Sequence, residues 1–116
     1  MNNDKTYNLE ERTFEFARDC RLFVSKLNKT ISNIEDTKQL VKSSGSVGAN
    51  YIEANEKLGD KDFKFRLKIA RKEAKESRYW LRLLKETNVK VKNKENIDKL
   101  IDEAEELRKI LSAIIY

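Results

Sequence analysis

The chain contains no proline in 116 residues and only three glycines, so it has few places to turn. Sandwiches and barrels built from many short strands depend on such residues at their turns. Their scarcity suits long, unbroken helices, because an interior proline would remove a backbone bond and kink the helix. The length fits one domain over residues 1–116, large enough to bury a core without disulfides or a structural metal.

Four segments carry the spacing of amphipathic helices. The first, about 8–28, places Phe16, Ala17, Cys20, Phe23, Val24 and Leu27 on one face, with Thr6 or Asn8 positioned to cap it. Phe14 and Leu22 fall off that stripe and would be exposed in a monomer. The second, about 36–58, starts at Asp36 or Thr37 and aligns Leu40, Val41, Ser44, Val47, Gly48, Tyr51, Ile52, Asn55 and Leu58. Its middle, Ser43 to Ala49, is almost wholly small. Two interior glycines cost about 1 kcal/mol each relative to alanine, so close approach of a neighbouring backbone is expected to offset them. The competing reading is a short loop that breaks the helix there. Gly59-Asp60 separates the second helix from the third, about 60–87, whose seam is Phe63, Leu67, Ala70, Ala74, Ser77, Leu81 and Leu84. Asn88, Asn93 and the intervening lysines make a turn. The fourth helix, about 95–115, aligns Ile97, Leu100, Ile101, Ala104, Leu107, Leu111 and Ile114. Four such helices joined by short connections predict an all-α, antiparallel up-down-up-down four-helix bundle.

Histidine is absent as well. That removes Ser-His and Cys-His catalysis, His-ligated zinc and the two Glu-x-x-His motifs of a di-iron bundle. The one cysteine, Cys20, reads as a small buried apolar residue and excludes an internal disulfide. Gly45-x-x-Gly48 lacks the Gly-Lys-Ser/Thr ending of a phosphate loop. Glu53, Glu73 and Glu76 are carboxylates among small or apolar residues, but no nucleophile or oxyanion donors accompany them, so a structural role is expected. No cofactor, metal or enzymatic activity is expected. A polar start, Met1-Asn2-Asn3-Asp4-Lys5, and the lack of any apolar run near 20 residues predict a cytoplasmic chain without a membrane partner.

The third helix divides into three longitudinal faces. Beside the seam lies a second apolar group, Phe65, Ile69, Trp80 and Leu83, with Tyr79 at its edge. Two readings stand: a self-association surface, because large apolar patches rarely stay in water, or a broad core covered by bulky neighbours or the amino-terminal arm. The remaining face is basic. Lys61, Lys64, Lys68, Arg71, Lys75, Arg78, Arg82 and Lys85 recur at intervals of three and four, a row of ~36 Å at 1.5 Å per residue. The net charge of +5 hides this segregation: residues 61–86 hold ten basic and four acidic side chains, whereas 95–109 hold three and six. The row suits a phosphate backbone of RNA or DNA, contacted without base reading. Alternatively it is a solvated face paired with Asp98, Asp102, Glu103, Glu105 and Glu106 of the fourth helix.

Two segments together resemble a known family. Ser46-Val47-Gly48-Ala49-Asn50-Tyr51-Ile52-Glu53-Ala54 is similar to a Ser-Ile-x-x-Asn-Ile-x-Glu-Gly/Ala motif on its second helix. Phe65 to Leu81, containing Ala70-Arg71-Lys72-Glu73-Ala74-Lys75-Glu76-Ser77-Arg78-Tyr79-Trp80, resembles its third-helix signature. The family is the four-helix-bundle, or 23S rRNA-intervening-sequence, protein family, and the likeness extends over about 9–115. It implies a bundle that assembles into a ring, typically a homopentamer. Some members are encoded within sequences inserted into large-subunit ribosomal RNA genes. A similar fold serves as the basic accessory protein of diversity-generating retroelements, with contact to nucleic acid or reverse transcriptase implied. By the motif match, Asn50, Glu53, Glu73 and Glu76 fix helix packing or subunit contacts. Lys42-Ser43-Ser44-Gly45 stands where an Arg-rich lead-in is common, which argues against a basic contribution from the second helix.

Overall fold

The computed structural model describes residues 8–90 and 94–116. Thr6, Lys92 and Asn93, which the sequence reading used as a cap and a turn, lie outside the described residues. Four helices follow in order: α1 (Leu9–Val24), α2 (Ile31–Ala54), α3 (Asp60–Thr87) and α4 (Lys94–Ile115). Each packs on its neighbour in sequence and α1 closes against α4, while no Cα atoms of the diagonal pairs α1–α3 and α2–α4 come within 8 Å of each other. This is the antiparallel up-down-up-down bundle that the periodicity predicts. The 28 residues of α3 account for most of the 46 Å length of the molecule.

The core follows the seams closely. Phe16, Cys20 and Phe23 of α1 meet Leu40 and Val47 of α2, and Leu67, Ala70, Ala74, Leu81 and Leu84 of α3 meet Ile97, Leu100, Ala104, Leu107 and Leu111 of α4. Phe63, Val24, Leu27 and Tyr51 pack against it half-buried. The margins differ from expectation. Ile52 sits 500° of turn beyond Val47, at ~140° from the core direction at 100° per residue, and is exposed. Ile114 is also exposed, and Ile115 takes the core position in the last turn of α4.

Helix ends are set by capping chemistry that periodicity does not register. Asn8 caps α1, accepting from the Glu11 amide at 3.2 Å. That helix stops at Val24, because the amides of Lys26 and Leu27 turn to the carbonyls of Phe23 and Val24. Helix α2 begins at Ile31, five residues before Asp36, because the Thr30 hydroxyl accepts from the Asn33 amide at 3.1 Å. It ends at Ala54, where three-residue backbone bonds and a left-handed Lys57 (φ 57°) tighten the chain. Asn55 and Leu58, assigned to the helix by period, therefore lie beyond it. Gly59, at φ 139°, holds a conformation open to glycine and starts α3.

Helix α2 runs unbroken through Gly45 and Gly48, and the structure supplies what offsets their cost. A Cβ on Gly48 would stand 2.8 Å from Thr13 Oγ1 of α1, and one on Gly45 would stand 3.1 Å from the Arg21 guanidinium. The close neighbour is thus the side chains of α1 laid across α2, and not the approaching backbone that the glycines suggest; the nearest backbone atom, the Thr13 carbonyl carbon, would stand 3.7 Å from the Gly48 Cβ. Arg21 also donates to the Val41 carbonyl at 3.2 Å. On the other flank, Ser43 and Ser77 meet hydroxyl to hydroxyl at 2.8 Å, bringing α2 and α3 close at mid-length. The ends of these two helices are joined by a reciprocal amide pair. Asn33 Nδ2 donates to Asn88 Oδ1, and Asn88 Nδ2 donates to Asn33 Oδ1, both at 2.8 Å.

Candidate nucleic-acid interface and its apolar flank

The basic row of α3 divides into two by contact. Arg71, Arg78 and Lys85, seven residues apart, lean toward α4. Lys85 Nζ lies 2.6 Å from an Asp98 carboxylate oxygen, which raises the lysine pKa. Arg78 adds to the positive surroundings that, after the hydrogen bond from Arg108, lower the Glu105 pKa. Arg71 lies 5.9 Å from the ring centroid of Tyr116 and lowers the phenol's pKa by hydrogen bonding and charge. The other five, Lys61, Lys64, Lys68, Lys75 and Arg82, are exposed and form no ion pair among the described residues. The physical reason is angular. At 100° per residue a row spaced alternately by three and four drifts little, yet its seven-residue members straddle the α3–α4 contact on one side and solvent on the other.

The predicted apolar flank is split as well. Trp80 is half-buried and packs on the core, with the Tyr79 ring edge-on to it at 5.0 Å between centroids and 79° between planes. Ile69 and Leu83 are half-buried. Phe65 and Tyr79 are open to solvent, at 58% and 54% exposure. On the opposite helix, Phe14 and Leu22 are 61% and 56% exposed.

Of the motif residues, Glu73 and Glu76 are neighbours one turn apart on α3 that share a hydrogen bond, whereas Asn50 and Glu53 of α2 lie apart from them. Asn50 Nδ2 donates to the Ser46 carbonyl at 2.9 Å and the Ser46 hydroxyl at 3.1 Å, within its own helix. Glu53 and Glu76 are exposed, whereas Glu73 is half-buried beside Lys72. Burial first, and the Glu76 charge second, raise the Glu73 pKa; Lys72 and Lys42 of α2 oppose the shift. With Ser43 level with Ser77, Glu53 falls level with Leu67, about 9 Å along the axis from Glu73 at 1.5 Å per residue. Glu53 thus stands apart from the Glu73–Glu76 pair, and the three carboxylates do not meet at one point. Among the described residues no group of three His, Cys, Asp or Glu side chains is placed to hold a metal ion. Cys20 is buried, and burial pushes its thiol pKa up to about 12, far from the range of a nucleophile.

Two features went unread in the sequence. Arg12 of α1 grips Glu103 of α4 through two nitrogens, at 2.7 and 2.8 Å, closing the bundle seam. A cleft of about 840 Å³ opens where the α1–α2 and α3–α4 connections meet, lined in part by Phe23, Lys26, Leu27, Lys90, Lys99 and Leu100. Both join segments about 60 or more residues apart, a relation that no local spacing records. Among the described residues no helix is long and apolar enough to cross a membrane.

Fold and surface together define a small antiparallel four-helix-bundle protein with a partly unpaired cationic helix face. Comparison with known proteins narrows that class. Residues 5–113 match the 23S rRNA-intervening sequence protein family, and the chain belongs to it. A crystal structure from Bacteroides thetaiotaomicron VPI-5482, described as a protein with unknown function from the S23 ribosomal protein family, superposes with a TM-score of 0.76. The two sequences are 33% identical, over 91% of this chain and 96% of that one. No curated protein matches the chain. Neither the family's description nor that of the structural neighbour names a catalytic activity.

Proposed function

We propose that this chain is a non-enzymatic, self-associating bundle whose outward basic residues bind nucleic-acid backbone without sequence preference. The observation that carries the reading is the run of Lys61, Lys64, Lys68, Lys75 and Arg82, exposed and without an ion pair among the described residues. From first to last it extends ~32 Å at 1.5 Å per residue, enough to meet several phosphates. Family membership supports RNA as the ligand to try first. Self-association is supported by the exposure of Phe65 and Tyr79, with Ile69, Trp80 and Leu83 alongside. A ring, typically of five copies, is what the family resemblance implies, and the cytoplasm is the location that the polar amino terminus supports. Titrating RNA and DNA at several salt concentrations tests the binding. The reading predicts log K falling linearly with log salt, and each outward cation removed lowering the slope by about one. No binding at low salt contradicts it.

A second reading is favoured by the Lys85–Asp98 pair and by Arg78 beside Glu105. In it the chain is a protein-interaction scaffold, and the basic row serves the α3–α4 contact. Reversing charge at Arg78 and Lys85 then loosens the fold or the assembly, while nucleic acid is irrelevant.

A further inference from the structure

The cleft where the α1–α2 and α3–α4 connections meet combines an apolar floor with a cationic rim. In the floor, Phe23 and Leu100 are buried and Leu27 is half-buried. Around it stand three lysines from three segments: Lys26 after α1, Lys90 after α3 and Lys99 within α4. All three are exposed and form no ion pair among the described residues. The one carboxylate among the described lining residues, Asp19, is held by Arg18 at 3.0 Å. Asn28 and Asn96 also line the cleft, and their side-chain amides make no hydrogen bond among the described residues.

We infer that this cleft binds a nucleotide, its phosphate among Lys26, Lys90 and Lys99 and its base on the floor of Phe23, Leu27 and Leu100. Charges of one sign around a concave, low-dielectric surface focus their field and concentrate anions there. A lysine meets phosphate as a point charge with three donors. Thr30, the cap of α2, also lines the cleft, and no acidic side chain in the first turn of α2 offsets the positive end of that helix. The volume of about 840 Å³ is that of a small-molecule site, apolar with a few placed polar groups. An inorganic anion would leave the apolar floor in water, and a fatty acid would leave both amides unused. A base answers both features, because its faces stack on apolar side chains and its edges pair with the donor and acceptor of an amide. None of these residues belongs to the α3 row, and the site needs no second copy. A free nucleotide and the unpaired end of a strand present the same phosphate and base.

The test is calorimetric titration with AMP, UMP, adenosine, inorganic phosphate and a 5′-phosphorylated tetranucleotide, while NMR follows the methyl groups of Leu27 and Leu100. The tighter of the two mononucleotides is expected to saturate below about 1 mM and to bind at least about 10-fold more tightly than adenosine or phosphate. It should also shift both leucines, which phosphate should not. Lys26→Gln with Lys90→Gln, both at exposed positions, should weaken it by at least about 10-fold. Lys57→Gln with Lys109→Gln removes the same charge away from the cleft and should change it less than about twofold. Circular dichroism checks that both double variants fold. Tighter binding of the mononucleotide than of the tetranucleotide assigns a free nucleotide, and the reverse assigns a strand end. No saturable binding of either mononucleotide overturns the inference. Phosphate binding as tightly as the nucleotides, or the two double variants behaving alike, overturns it too. Each of those results leaves the α3 row standing, since RNA binding there is read on other residues.

Discussion

Single residues decide how closely α1 lies on α2, and two glycines separate the possible outcomes. At Gly48 an added methyl meets Thr13 at 2.8 Å, and Thr13 is buried with its hydroxyl committed to the Leu9 carbonyl at 2.6 Å. Gly48→Ala is therefore expected to destabilise the protein by about 1–3 kcal/mol, the usual cost of overpacking, in denaturant titration. Combining it with Thr13→Ala should recover part of that loss. At Gly45 the obstacle is the mobile end of Arg21, so Gly45→Ala should be neutral or stabilising by up to about 1 kcal/mol through helix propensity. The reverse order of the two variants would contradict the packing described. Glu73 gives a pH prediction. Its pKa in the folded chain is raised above the ordinary 4.5 by burial and then by Glu76. A raised group contributes stability that is full below its unfolded pKa and is lost as pH rises through the folded value. Glu73→Gln should consequently raise the melting temperature at neutral pH, with the gain fading as pH falls below the ordinary value. A gain that stays constant down to about pH 3 would exclude titration as its cause.

At the scale of helices, the seams were legible because burial imposes a period that the residues must obey. Phe63, Leu67, Ala70, Ala74, Ser77, Leu81 and Leu84 were read from spacing alone, and all but the half-buried Phe63 are buried. The ends were not legible, since Thr30 outcompetes Asp36 as a cap through one hydrogen bond that hydropathy does not encode. Nor were the cross-helix pairs, which join residues remote in sequence. The Asn33–Asn88 pair is the one whose loss should be most local. Asn88→Ala removes both 2.8 Å bonds to Asn33, together with the one to the Leu84 carbonyl, and leaves the buried Asn33 amide with one remaining acceptor, the Asn28 carbonyl. The expected cost is about 1–3 kcal/mol, the desolvation penalty of a stranded polar group. Replacing both with apolar residues of similar shape should cost less than Asn88→Ala alone. A double-mutant cycle measures the difference, and strict additivity would show that the pair is not coupled.

For the whole molecule, the charge pattern matters more than the net charge of +5. The sequence offered two readings of one row, and the structure divides the row instead: three cations turned to α4, five turned to water. Spacing could not separate them, because which members face a neighbour depends on where α4 lies around α3. The absence of histidine excluded the di-iron chemistry that a bundle invites, and this exclusion came from composition alone. The division of the row leads to the most direct test of the proposed function. RNA binding is measured at low salt for the wild type, for an outward variant with Lys61, Lys68, Lys75 and Arg82 changed to glutamate, and for an inward variant, Arg78→Gln with Lys85→Gln. The account predicts that the outward variant keeps its fold and loses binding by at least about 100-fold with a flattened salt slope. The inward variant should bind within a few-fold of wild type while melting at a lower temperature. Equal RNA binding by the wild type and the outward variant would contradict it.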